Sequence, residues 1–210
     1  MVPAGFDPVG VGTFITFKET LSWAQDFGVG AGARVAVLGV GGVGLCFVRA
    51  CKLLGAQQVI AVGRRPGPLE RAVRMGADAT VNSRAVDPAM EVRRVTDGRA
   101  CTHVIEAVGD NDLLQQGLAL LGAGGKIGQY GVPSQRRLTL DWGAAPPVAS
   151  LHFLSPTEHR VHEQALDAVR LGFFDPASMV DAVVPMSDVH EAFRLLETNQ
   201  AIRVTLEIGR

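Results

Sequence analysis

A chain of 210 residues is long enough to bury one substantial core, or one core and a smaller lobe. With 47% hydrophobic and 20% charged residues it has the composition of an ordinary globular protein, and a formal net charge of -1 gives no field for holding nucleic acid or a membrane surface. No apolar run reaches the length of a membrane span, and the opening MVPAGFDPVG lacks the basic and apolar regions of a signal peptide, so a cytoplasmic protein is expected.

Taken in chain order, residues 13–28 read as one amphipathic helix that leads into the first strand. Short β-branched runs then recur at 35–38, 59–62, 79–81, 103–106 and 126–130, with helix-length segments at 42–54, 68–75, 88–96 and 112–121. Gly55, Gly76 and Gly122 follow such segments and suit left-handed helix ends. This alternation predicts an α/β fold, a doubly wound parallel sheet of about six strands, with the last strand near 148–154. Residues 134–147 carry proline and arginine without a period and read as an exposed connection. Beyond Ser155 come a helix at about 157–171, a strand at 179–185, a helix at 187–198 with Ser187 as its N-cap, and a closing strand at 203–208, a small α+β lobe. The expected division is a leader helix at 1–31, a nucleotide-binding unit at 32–155 and the lobe at 156–210. Cys46, Cys51 and Cys101 form neither a C-x-x-C pair nor a disulfide framework, and read as small apolar residues in a reducing compartment.

The chemistry is concentrated in GVGGVG, where Gly39, Gly41 and Gly44 have the G-x-G-x-x-G spacing between a predicted strand and a predicted helix. Gly39 permits the tight turn, Gly41 removes a side chain that would block a diphosphate, and Gly44 lets the helix sit close to the strand. The N–H groups at the helix start, those of Gly42 and Val43 included, then favour an anion. The next strand ends in VIAVGRRPG, with Gly63 where an NAD-binding unit places a carboxylate for the ribose hydroxyls. Glycine leaves room for a 2′-phosphate, and Arg64 and Arg65 offer charge-assisted bonds to it, which favours NADP(H) over NAD(H). The competing reading is a pair of solvated loop arginines.

With these residues in view, the sequence resembles the cofactor-binding and C-terminal part of the medium-chain dehydrogenase/reductase superfamily, the zinc-type alcohol dehydrogenase-like proteins. GARVAVLGVGGVGLCFVRACKLLGA, RAVRMGADATVN, THVIEAVG, GGKIGQYGVP and DAVVPMSDVHEAFRLLETNQAIRVTLEI carry the resemblance, from about Thr13 to Arg210. It implies that Ala107, Val108 and Gly109 pass beside the cofactor, and that Gly131 and Val132 meet the nicotinamide carboxamide. It further implies that Leu151 and Phe153 lie on the same side, and that Arg203 reaches the pyrophosphate. The alternative for Arg203 is a surface arginine on the terminal strand. Most of the N-terminal catalytic domain of that family has no counterpart here. The Gly-His-Glu segment and cysteine cluster are missing, so no catalytic zinc is expected and no catalytic residue is assigned.

Two groups within the chain itself could stand in for that site. His152, His159 and His162, with Glu158 or Glu163, have donor chemistry for a metal, His159 and His162 falling one turn apart on a predicted helix, but they read as polar surface positions. Tyr130, the single tyrosine, sits at a strand end, where packing is expected ahead of proton donation. The expected function is NADP(H)-dependent hydride transfer to or from a small carbonyl, alcohol or activated alkene; the alternative is a non-catalytic NADP(H)-binding module. Without the missing domain, Phe173, Phe174, Met179 and Val183 need a partner, so the lobe is expected to fold back on the nucleotide unit or to bury its face in a homodimer. The sixth strand, at the sheet edge, is the expected seam of that dimer.

Overall fold

The computed structural model describes residues 6–133 and 137–209. Residues 134–136, part of the expected connection, and residues 1–5 of the leader lie outside the described residues. Six parallel strands form one sheet: β1 (Arg34–Leu38), β2 (Gln58–Gly63), β3 (Ala79–Asn82), β4 (Cys101–Glu106), β5 (Leu121–Gln129) and β6 (Ser150–Phe153). Their order is β3-β2-β1-β4-β5-β6, so the chain runs outward from β1 to one edge, returns, and runs outward again to the other. This reversal beside β1 is the topological switch point at which ligands of such sheets sit. Val35, Ala36, Val37, Val59, Ile60 and Ala61 are all fully buried, as expected of central strands covered on both faces.

Helices α1 (Val11–Asp26), α2 (Gly42–Leu53) and α3 (Pro66–Arg74) contribute to one core, together with α6 (His162–Arg170). The opposite face packs residues of α4 (Pro88–Val95) and α5 (Asn111–Leu118). The expectation of an amphipathic leader helix is corrected here. Thr13, Phe14, Phe17, Thr20, Leu21, Ser22, Trp23 and Ala24 of α1 are buried, because α1 packs against both α2 and α6. Trp23 meets Phe27 and Phe47 at ring separations of 4.8 and 5.4 Å, and its indole N–H donates to the Leu154 carbonyl at 3.1 Å.

The lobe contains a two-stranded parallel sheet, β7 (Ala182–Pro185) and β8 (Val204–Glu207), with α7 (Val189–Glu197) between them. It packs on α1 as well as on the nucleotide unit: Phe174 stacks on Phe17 of α1 at 4.1 Å, Met179 is fully buried, and Phe173 packs under the guanidinium of Arg49 of α2. Val183 does not share that burial and is 47% exposed.

Several local expectations shift. Gly55 and Gly76 have the left-handed φ of helix ends, at 80° and 102°, whereas Gly122 lies inside β5, where a side chain would strike the Arg99 carbonyl at 2.8 Å. Ser187 does not cap α7: a 3-10 turn at Met186–Asp188 precedes the helix, and no side chain caps it. The helix expected from residue 157 begins at His162, leaving His159 in the preceding turn.

Candidate functional site

The C-terminal ends of β1, β4 and β5 are adjacent because the strands are parallel neighbours, and the loops that leave them interlock. After β1 the chain turns at Gly39, whose φ of 94° favours glycine and whose N–H donates to the Val62 carbonyl at 2.9 Å. A β-carbon on Gly44 would lie 1.8 Å from the Gly39 carbonyl oxygen, so α2 returns along the strand only because that position is glycine. A β-carbon on Gly41, by contrast, would meet nothing within 4 Å. Gly41 occupies the N-cap position of α2 and no side-chain hydrogen bond caps the helix, which leaves its first-turn N–H groups without a side-chain acceptor.

Arg203 reaches the same point. A β-carbon on Gly42 would lie 3.2 Å from an Nη of Arg203, and that nitrogen donates to Thr16 Oγ1 at 3.2 Å. A residue at the far end of the chain thus places a guanidinium over the first turn of α2. Val43, on that turn, is half-buried against the main core.

At the end of β2 the structure separates the two arginines. Arg64 is exposed, while Arg65 is half-buried and donates to the Asn199 side-chain oxygen. Gly63 is buried, and a β-carbon there would lie 2.4 Å from a methyl of Val40. The missing carboxylate therefore has a packing reason of its own, in addition to any reason the cofactor supplies.

The loop after β4 holds Ala107, Val108 and Gly109, with Gly109 at φ 88°. A β-carbon on Gly39 would strike a Val108 methyl at 2.3 Å, so this loop lies against the glycine turn. A β-carbon on Gly109 would lie 2.2 Å from the Val132 carbonyl oxygen, and one on Gly131 would lie 1.9 Å from the Gly109 nitrogen. The side chain of Val132 itself is 90% exposed. Leu151 packs into the core on the α4 and α5 face, and Phe153, two residues on, is 67% exposed.

Glu106 organises this region and was not singled out in the sequence. Its side chain is 0% exposed, and one oxygen accepts from the N–H groups of Val108 at 2.7 Å and Gly109 at 2.9 Å. Its backbone carbonyl accepts from Tyr130 and Gly131 at 2.9 and 3.1 Å, so one residue knits the β4 and β5 loops together. Burial raises its carboxyl above the usual range, opposed by those N–H groups. An acid ending the apolar run HVIE was the available signal.

The candidate proton and metal groups are dispersed or engaged. The Tyr130 hydroxyl donates to Glu19 at 3.3 Å while its ring meets Phe47 edge-on at 4.9 Å; burial, reinforced by Glu19, raises the phenol. His162 lies 3.3 Å from Lys18 Nζ, and His152 lies 2.9 Å from Ser150 Oγ. Among the described residues no group of three or more His, Cys, Asp or Glu side chains is placed to hold a metal ion, so these residues offer zinc no donor set. Cys46, Cys51 and Cys101 are buried, with burial pushing each thiol up to about 12. No helix among the described residues is long and apolar enough to cross a membrane.

Known proteins resemble this chain in sequence and in fold. Over 176 residues the chain is 30% identical to an alcohol dehydrogenase of Cupriavidus necator, covering 82% of this chain and 48% of that protein. Over 172 residues it is 30% identical to the NADP-dependent isopropanol dehydrogenase of Thermoanaerobacter brockii, covering 79% of this chain and 49% of that one. The chain thus spans about half the length of these relatives. Its fold matches that of the alcohol dehydrogenase TADH from Thermus sp. ATN1 with a TM-score of 0.87, over 97% of this chain and 59% of that one; at 23% identity this likeness speaks for the fold alone. The family described as zinc-binding dehydrogenase matches residues 42–152, from the first turn of α2 to the edge strand β6. That match takes in more than half of the chain and the β2, β4 and β5 ends that border the glycine turn, so the chain belongs to the zinc-binding dehydrogenase family.

Proposed function

We propose that this chain binds NADP(H) across the C-terminal ends of its parallel strands and forms the cofactor-holding part of an oxidoreductase. The observation that carries the reading is the meeting of three features at one point: the uncapped start of α2, the open space at Gly41, and the Arg203 guanidinium over Gly42. Backbone donors of Gly41, Gly42 and Val43 suit a diphosphate, Gly39 and Gly44 give the turn and the close return of α2 that present them, and Arg203 adds a positive charge. At the adenosine end, Gly63 presents no carboxylate, and the exposed Arg64 offers a charge that suits a 2′-phosphate. Arg65 shapes that edge through its bond to Asn199. Ala107, Val108, Gly109, Gly131 and Val132, with the exposed Phe153, frame the nicotinamide end, while Leu151 stays packed against the core.

When bound, the cofactor supplies or accepts the hydride. The chain's own part is to hold the diphosphate, to fix the loops against which the ring lies, and to exclude water from one side. The preference for NADP(H) draws support from Arg64 and from the relative whose name is NADP-dependent. The substrate class that fits is a small carbonyl, alcohol or activated alkene. On this reading residues 32–155 form the cofactor unit, 1–31 lead into it, 156–210 form the lobe, and two copies pair through β6.

A second reading, a module that holds NADP(H) without turnover, is favoured by the dispersal of proton and metal groups described above. Calorimetric titration with NADPH and NADH, followed by turnover assays on short-chain aldehydes, alcohols and quinones, tests both. Binding with a change in cofactor absorbance supports the oxidoreductase; binding without it supports the module; no binding of either nucleotide removes both.

A further inference from the structure

The guanidinium over α2 does not hold itself there. Arginine loses substantial rotamer freedom when fixed, so a defined position needs a fixed backbone beneath it. Asp181 supplies that fixture. One of its carboxylate oxygens accepts from the N–H groups of Ile202 at 2.6 Å and Arg203 at 3.0 Å. Its own N–H donates to the Arg203 carbonyl at 2.9 Å, so Asp181 holds Arg203 at both its N–H and its C=O. The other carboxylate oxygen pairs with Arg71 of α3, and both side chains are largely withdrawn from solvent, at 16% and 19% exposure. The pair is neutral, so Asp181 brings no net charge to oppose an anion bound at Arg203. Through Arg71 the same carboxylate also fastens the lobe to α3, the helix that follows Arg64 and Arg65.

We infer that Asp181 is the positioning residue of the diphosphate site: it holds the Ile202–Arg203 backbone so that the Arg203 guanidinium stands over the first turn of α2. This rests on the NADP(H) reading of the cleft, and its test uses fragments that separate the two claims. ADP carries the diphosphate. Adenosine 2′-monophosphate carries only the phosphate assigned to Arg64.

Binding of both to the full chain is measured by calorimetry for the native protein and for D181A, D181N, R203A and the D181A/R203A pair. D181A is expected to weaken ADP by about tenfold, close to R203A, while 2′-AMP changes by less than about twofold. The double variant is expected to be no weaker for ADP than R203A alone, since the two residues act through one contact. D181N keeps an oxygen for the two N–H groups and is expected to recover most of the ADP affinity. Equal losses for ADP and 2′-AMP, additive losses in the double variant, or no recovery in D181N would each overturn the role. If the native chain binds 2′-AMP but not ADP, the diphosphate role of Arg203 fails and that of Asp181 with it. If it binds neither fragment, the NADP(H) reading itself fails.

Discussion

Arg64 and Arg65 are neighbours in the chain, yet Arg64 projects into solvent and Arg65 is engaged by Asn199. Arg64→Ala should therefore weaken NADPH by about tenfold with little change for NADH, and Arg65→Ala should cost less. Equal losses for the two nucleotides in a titration of Arg64→Ala would remove the phosphate contact. His103 makes a separate prediction. Burial, then the charge of Lys126, lowers its imidazole from 6.5 to about 4. Between those values the unfolded chain binds a proton that the folded chain does not, so stability falls as pH drops from about 6.5 to about 4. The loss is at most about 3 kcal/mol before solvent screening trims it. Denaturant midpoints across that range should flatten in His103→Gln; an unchanged slope would show that His103 is not the titrating group.

At the scale of elements, the lobe is attached through aromatic stacking and α1 through burial on more than one side. Phe174→Ala removes the ring stacked on Phe17 and leaves a cavity, at a cost of about 3–5 kcal/mol, readable as a large fall in the melting temperature. A shift of only a degree or two would mean that the lobe is not bound to α1 in solution. The order of strands and helices was legible because period and turn chemistry act over a few residues, as at Gly55 and Gly76. The ends that were misread, at Gly122, Ser187 and His159, depended on contacts beyond the element. Gly122, for instance, follows Leu121, which pairs with Cys101 of β4, and local pattern does not encode that pairing.

At the scale of the whole molecule, β6 ends the sheet, and Val148 and Phe153 beside it are 86% and 67% exposed. An edge of this kind invites pairing with a second copy. Light scattering on the eluting protein should report twice the chain mass, and Ser150→Lys should shift it towards the monomer; a native monomer would rule the seam out. On α7 and β7, Phe193 and Val183 are also half-exposed, so the lobe keeps an apolar face after folding back.

The sequence by itself determined the α/β alternation, the glycine turn between β1 and α2, and the absence of a carboxylate at Gly63. Each is a matter of residues within one or two turns of one another, where steric permission and periodicity decide the outcome. Only the tertiary structure decided which arginine is free and what holds Arg203. The bonds concerned join residues 134 apart for Arg65 and Asn199, 110 for Arg71 and Asp181, and 187 for Arg203 and Thr16. Contacts at such separations arise from packing the lobe onto α1, α2 and α3, which depends on the whole set of buried surfaces rather than on any short run of the chain.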